Sequence, residues 1–223
     1  MKTFMLVALG WLIGAGAGAA QTPEAAPASG HADVHAVIGW QNLRMDKDNS
    51  VYGPDNNWAH AILYGGAGAG WYWTEHLKTQ VDFGAGTAAR HYQYRQVTIN
   101  GQLTSEISRI RQTRPGLAIS QQYQFFRNAW FHPHLGIGLD IARETRTEVY
   151  EPIYVFDNVG RITREVAPRR TEGPEHSMVV RPFGEVGFKA YMSRRAFFTS
   201  DMRLMVHGGI DQALFRLGFG VDF

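Results

Sequence analysis

The chain has 223 residues, a formal net charge of +2, 44% hydrophobic residues, 25 glycines and no cysteine. The missing cysteine excludes a disulfide framework, a thiolate metal site and a lipid anchor on an N-terminal cysteine, and the near-neutral balance offers no bulk electrostatic case for nucleic acid. A mean hydropathy of −0.25 suits a soluble protein, and equally a sheet in which only every second residue meets lipid.

Met1-Lys2-Thr3 is a short basic start, followed by an apolar run from Phe4 to Ile13 and then small residues in which Ala17-Gly18-Ala19 and Gly18-Ala19-Ala20 both suit a signal peptidase. The run is too short for a spanning helix, so residues 1–20 read as a secretory signal peptide. Residues 21–32 (QTPEAAPASGHA) read as a disordered leader. Residues 33–223 are then one domain.

Alternation and punctuation predict eight strands, near 33–43, 58–74, 78–99, 102–126, 129–150, 177–192, 196–208 and 212–223. Their connections are of two kinds. Glu75-His76-Leu77, Arg127-Asn128 and Ser193-Arg194-Arg195 are short turns flanked by aromatics, whereas the alternate connections, which include the polar loop 44–57, the hairpin around Asn100-Gly101 and the segment 151–176, suit an outer surface. Three short turns and four outer connections put both ends of the domain on the inner side. VTINGQLTSEI (97–107) resembles VFDNVGRITREV (155–166), and both read as strand pairs raised above a membrane. A second echo joins Arg114-Pro115 to Arg181-Pro182.

The strand near 177–192 divides most plainly: Val180, Pro182, Gly184, Val186, Phe188, Ala190 and Met192 alternate with Arg181, Phe183, Glu185, Gly187 and Lys189. The next strand repeats the division, with Phe198, Met202, Leu204 and Val206 against Thr199, Asp201, Arg203 and His207. An Arg or Lys facing hydrocarbon costs about 2–4 kcal/mol at the midplane, so the charged faces are expected inside a closed barrel. Gly66, Gly68, Gly70, Gly84, Gly86, Gly136 and Gly138 are expected to line the opposite wall. Eight strands enclose just enough space for side chains, so the reading is a plugged interior without an open channel. Pro115, Pro133 and Pro182 each remove a ladder donor and are expected at bulges or strand ends. Trp71, Trp73, Tyr123, Phe125, Phe131, Phe198 and Phe223 fall near the short turns, as an interfacial aromatic girdle would.

Counted up from the short turns, Asp82, His134, Glu185, Asp201, Arg203 and Arg216 share mid-barrel depth, and Asp82, Glu185, Asp201, Arg203 and Arg216 are read as a lumenal charge network. His132 and His134 have the spacing of paired metal ligands, with Asp82 or Asp201 as a third, but no metal and no other cofactor is expected, since no ligand motif surrounds them. His60, His91, His207, Ser105, Ser108, Glu106 and Asp211 could supply a hydrolytic triad at the outer rim, yet they form no motif, and no catalytic residue is assigned. Arg90, Arg95, Arg109, Arg111 and Arg114, with only Glu106 against them, make the central hairpin basic, and Arg95, Arg109 and Arg111 are candidate contacts for lipopolysaccharide phosphates. The bland alternative pairs these arginines across the hairpin or with Glu144, Glu148 and Glu151.

The final strand, QALFRLGFGVDF, sets Ala213, Phe215, Leu217, Phe219, Val221 and Phe223 on one face and Gln212, Arg216, Gly218, Gly220 and Asp222 on the other, and ends on phenylalanine. This resembles the assembly signal of bacterial outer-membrane barrels, with Phe215, Phe219 and Phe223 as its aromatic positions. Signal peptide, eight alternating strands, short inner turns, long outer hairpins and the terminal GVDF together make residues 33–223 resemble the small outer-membrane β-barrel superfamily of the OmpA transmembrane domain, OmpX, OmpW and the opacity-type surface proteins. The expectation is an all-β protein, an eight-stranded antiparallel up-and-down transmembrane β-barrel with extended outer hairpins. The resemblance implies an outer-membrane location in a Gram-negative-type bacterium and roles in envelope integrity, adhesion or small-solute passage. The expected partners are outer-membrane lipid, lipopolysaccharide and the barrel-assembly machinery, with no nucleic acid and a monomeric state. A lipid-modifying enzyme and a narrow solute channel stand as alternatives to a non-enzymatic, side-chain-filled barrel.

Overall fold

The structure, a computed structural model, describes residues 31–45, 58–99, 101–126, 130–156, 159 and 162–223. The expected signal peptide, all but the last two residues of the leader, most of the loop 44–57, the Arg127-Asn128 turn and Asn100 lie outside these described residues. Twelve strands follow in order: β1 (Ala32–Arg44), β2 (Trp58–Tyr72), β3 (Leu77–Gly86), β4 (Ala89–Ile99), β5 (Gln102–Thr113), β6 (Pro115–Gln124), β7 (Phe131–Tyr150), β8 (Ile153–Phe156), β9 (Ile162–Ala167), β10 (Arg170–Tyr191), β11 (Ala196–Val206) and β12 (Ile210–Asp222).

Eight of them close a barrel in the order β1, β2, β3, β6, β7, β10, β11, β12, every neighbouring pair antiparallel, with β12 returning to β1 from Asp33↔Asp222 to Leu43↔Gln212. The two long strands expected over 78–99 and 102–126 are each broken, after Gly86 and after Thr113. Above the breaks, β4 and β5 form a hairpin that pairs with the upper half of β7, through Ser108↔Tyr150 to Thr113↔Thr145. The strand expected at 177 begins at Arg170, so β7 and β10 pair over nearly their whole lengths and carry the sheet above the barrel. β8 and β9 make a separate two-stranded sheet within the segment 151–169.

The prolines sit where ladders end. Pro115 opens β6, and Pro133 lies two residues into β7. Pro182 lies one residue beyond Phe183↔Met205, where the β10–β11 ladder has stopped. The outer face carries the apolar residues: Ile38, Leu63, Phe83, Ile119, Ile137, Leu139, Val186 and Phe219 are all well exposed, with Ile137 74% accessible. Rings ring the barrel at the short-turn end, from Trp130–Phe131 through Phe131–Phe188 and Phe188–Phe198 to Phe198–Phe219, with centroids 4.9–6.0 Å apart. This polarity, apolar outside and charged inside, is the reverse of a soluble sheet and suits strands crossing hydrocarbon.

Candidate functional site

The alternation that sends apolar side chains outward sends a stack of polar ones into the lumen, and the stack is layered. Nearest the short turns, Asp33 of β1 meets Lys78 of β3 at 2.8 Å and Lys189 of β10 at 3.3 Å, while Lys189 also contacts Asp222 of β12. Tyr72 and Tyr191 donate hydrogen bonds to Asp33 and Asp222, and the Lys189 ammonium lies 3.8 Å from the Phe197 ring centre. Two cations thus face two carboxylates, each of which also accepts a tyrosine hydroxyl, which is the kind of compensation under which buried charge is tolerated.

At mid-depth the structure brings Asp82, Glu185, Asp201, Arg203 and Arg216 together. Glu185 and Arg203 are register partners on β10 and β11, and the Arg203 Nε donates to Glu185 at 2.8 Å while its terminal nitrogen reaches Asp82. Arg216 donates to both oxygens of Asp201, at 2.8 and 3.0 Å, a bidentate pair, and lies 3.3 Å from Asp82. His35 of β1 adds a contact of 2.7 Å to Asp82. Arg203 and Arg216 are 1% and 0% exposed. The room is made by glycines on the neighbouring strands rather than on the opposite wall: Gly68 is the register partner of Asp82 and Gly136 that of Glu185, and a Cβ on Gly68 would lie 2.2 Å from an Asp82 oxygen, one on Gly136 2.5 Å from a Glu185 oxygen.

Above this layer Ala118, Phe183, Met205 and Leu214 form an apolar plate against Tyr64. A third ionic layer follows: Arg114 pairs with Asp140 and, at 3.3 Å, with Glu144, while Arg181 pairs with Glu144 at 2.7 Å and Asp211 at 2.6 Å. Arg114 therefore does not belong to the basic surface of the hairpin, where the sequence seemed to put it. The break before Pro115 turns it into the lumen, and the Arg-Pro echo becomes intelligible, since Arg114 and Arg181 share one carboxylate while Pro115 and Pro182 face out. Higher still, Leu43, Met45, Ala59, Ile62, Ala89 and Ile110 close over the top as a small hydrophobic core. The voids left between these layers hold about 20 Å³ beside Tyr64, Arg114 and Arg203, and about 10 Å³ beside His134, Gln122 and Lys189, each no larger than a water molecule needs.

Other candidates are placed differently. Among the described residues no three His, Asp or Glu side chains are arranged to hold a metal ion; His134 is buried beside the lower void, and His132 meets the Tyr191 ring edge-on. Ser108 donates to Glu148 at 2.6 Å, Asp211 accepts from Arg181, and Glu106 pairs with Arg170 at 2.9 Å. Glu148, expected in solvent, is thus half-buried and also takes a hydrogen bond from Arg146. His207, expected inside, lies exposed where the β11–β12 turn begins, and the side chain of His60 is not among those described. Arg109 is committed to Glu151 at 3.1 Å and stacks on Tyr92 at 5.4 Å. Arg111 is exposed, and the side chain of Arg95 lies outside those described. Phe215, Phe219 and Phe223 all face outward from β12. Asp33, His35, Lys78, Lys189 and Asp222 in the lower part, and the whole upper layer of Arg114, Asp140, Glu144, Arg181 and Asp211, are lumenal residues that sequence reasoning left out of the network. Their positions on alternating strands were the available signal, but β1 was read for its boundaries alone.

No protein-family model matches the sequence, and no curated protein matches it. Among solved structures, Neisserial surface protein A superposes with a TM-score of 0.52 at 13% identity, over 88% of this chain and 99% of that one. The fold is that of the small eight-stranded outer-membrane barrels. Similar small outer-membrane barrels include OprG of Pseudomonas aeruginosa, at 14% identity and a TM-score of 0.46 over 89% of this chain and 99% of that one. The N-terminal barrel domain of Pseudomonas aeruginosa OprF stands at 10% identity and a TM-score of 0.48, over 88% of this chain and all of that one. The barrel described here differs from an open pore in what fills it.

Proposed function

We propose that the protein is a non-enzymatic barrel of a Gram-negative-type outer membrane, delivered by a cleaved signal peptide and inserted by the barrel-assembly machinery as a monomer, whose work is done by its extracellular sheet. That work is envelope integrity or surface interaction. The observation that carries the reading is the packed lumen: Arg203 and Arg216, almost wholly inaccessible, are fixed by Asp82, Glu185 and Asp201 and covered by an apolar plate and the third ionic layer. A solute path would have to part all three ionic layers at once, and parting a buried pair leaves charge without compensation. For catalysis, the carboxylates nearest the outer rim are already held by arginines. The exposed and unused chemistry lies on the extension of β4, β5, β7 and β10. The test is to recover the protein from the outer-membrane fraction and insert it in planar bilayers. No large, steady conductance is expected. Stable openings of porin size would overturn the sealed-lumen reading.

A further inference from the structure

On the extension above the barrel, alternation puts Arg90, Tyr92 and Tyr94 of β4, Arg109 and Arg111 of β5, and Arg143 of β7 on the outer face. Arg90 and Arg111 are register partners, so two like charges stand directly opposite each other, an arrangement that destabilises a strand pair unless an anion joins it. Arg109 has Glu151, but among the described residues Arg90, Arg111 and Arg143 have no ion-pair partner. The nearby carboxylates of Glu106, Glu144 and Glu148 turn to the inner face and are taken there by Arg170, by Arg114 and Arg181, and by Arg146.

Directly beneath Arg143 the surface changes character. Ile141, two residues down the same face and about 7 Å away, begins an outward-facing groove of about 660 Å³ walled by Ile119, Ile137, Leu139, Ile141, Pro182 and Val206. Gly184, beside it, leaves the floor open, since a Cβ there would meet nothing within 4 Å. Three uncompensated guanidinium groups above an apolar groove on a membrane-facing wall fit an amphiphile with phosphate at its head. Guanidinium is the side chain that meets phosphate bidentately.

We infer that this face holds lipopolysaccharide of the outer leaflet, with Arg90, Arg111 and Arg143 on its phosphates and an acyl chain along the groove. The inference rests on the outer-membrane reading above. The test extracts the full protein from outer membranes in mild detergent and measures the lipopolysaccharide retained per barrel. The variant Arg90→Gln/Arg111→Gln/Arg143→Gln should retain at least tenfold less than the parent. The control Arg164→Gln/Arg169→Gln, which removes exposed arginines elsewhere, should retain as much. Heat-modifiable migration on gels checks that each variant is folded. Add-back to delipidated parent protein works even if the triple variant fails to assemble: native lipopolysaccharide should bind at least tenfold more tightly than its dephosphorylated form. Equal retention by the triple variant, an equal loss in the control, or equal binding of the dephosphorylated form would overturn the inference. So would displacement by phosphatidylglycerol vesicles or inorganic phosphate as effective as by lipopolysaccharide. Recovery of the parent protein as a soluble species would sink the outer-membrane reading itself, a result distinct from any of these.

Discussion

The mid-lumen cluster, from β3, β10, β11 and β12, and the cap above it, from β1, β2, β4 and β5, follow the same inward-outward alternation, yet they are held together by opposite chemistry. Along β1 the inward positions run Asp33, His35, Val37, Gly39, Gln41 and Leu43, from the lower ionic layer to the hydrophobic cap in one unbroken pattern. Within the membrane the exterior is already apolar, so burying more apolar surface in the lumen gains little specificity, and paired charges fix the interior. Above the membrane water returns to the outside, and Leu43, Ile62 and Ile110 gather inward as in a soluble protein. The location of the interface is thus written in what faces inward as much as in what faces outward.

The contrast breaks most sharply at Arg203. Replacing it with Met strands Glu185 and Asp82 in a sealed space, and the expected loss is about 3–5 kcal/mol in urea unfolding from lipid vesicles. The double variant Arg203→Met/Glu185→Ala should recover part of that loss. Recovery of nothing would mean that the two are not direct partners. Glu165→Ala, on the exposed β8–β9 hairpin, serves as the neutral control in place of Glu148, which is partly buried and hydrogen-bonded.

The outer wall gives the next largest effect. Ile137→Lys places an ammonium in hydrocarbon near mid-strand and should cost about 2–4 kcal/mol. The same change at Ser105, exposed in the extension and opposite neutral Gln96, should be nearly silent. If both cost the same in a vesicle-unfolding titration, the boundary between membrane and extension is misplaced. The cap should respond least. Ile110→Val removes one methylene from a fully buried position, worth about 0.5–1.5 kcal/mol, and should raise amide exchange in β4 and β5 while leaving β10–β12 protected. Exchange that rises equally in both would show the cap and lumen to be one cooperative unit.

Much of the barrel was legible because period-two alternation is strong wherever one face is lipid. β10, β11 and β12 could be assigned inside and outside residue by residue, and Glu185, Arg203 and Arg216 fell on the inner face at matching depth. The strand breaks were not legible. The inward-outward alternation runs on across Arg114, so Pro115 signalled a lost ladder donor but not that the chain leaves one partner for another there, and Arg114 was assigned to the surface. Asp33 and Lys78 escaped for another reason. Each has its partner on a strand distant in sequence, and which strands face each other across a lumen depends on tilt and closure, which no single strand encodes. The cap escaped because the alternation continues through it unchanged, and only the identity of the surroundings differs.

Lys189 holds Asp33 on one side and Asp222 on the other, and those two residues face each other across the junction of β1 and β12. The three come from opposite ends of the domain. The lower ionic layer is therefore complete only when the barrel closes. Asp33 and Lys78 can pair as soon as β1, β2 and β3 associate, but until β12 docks on β1, Asp222 must keep its water, and a strand whose inner face still holds water is not ready to sit in hydrocarbon. The order of assembly is thereby constrained: the sheet must be essentially complete before the lumen dries, and the lysine that straddles the seam is both the last contact to be satisfied and the latch that keeps the first and last strands from parting.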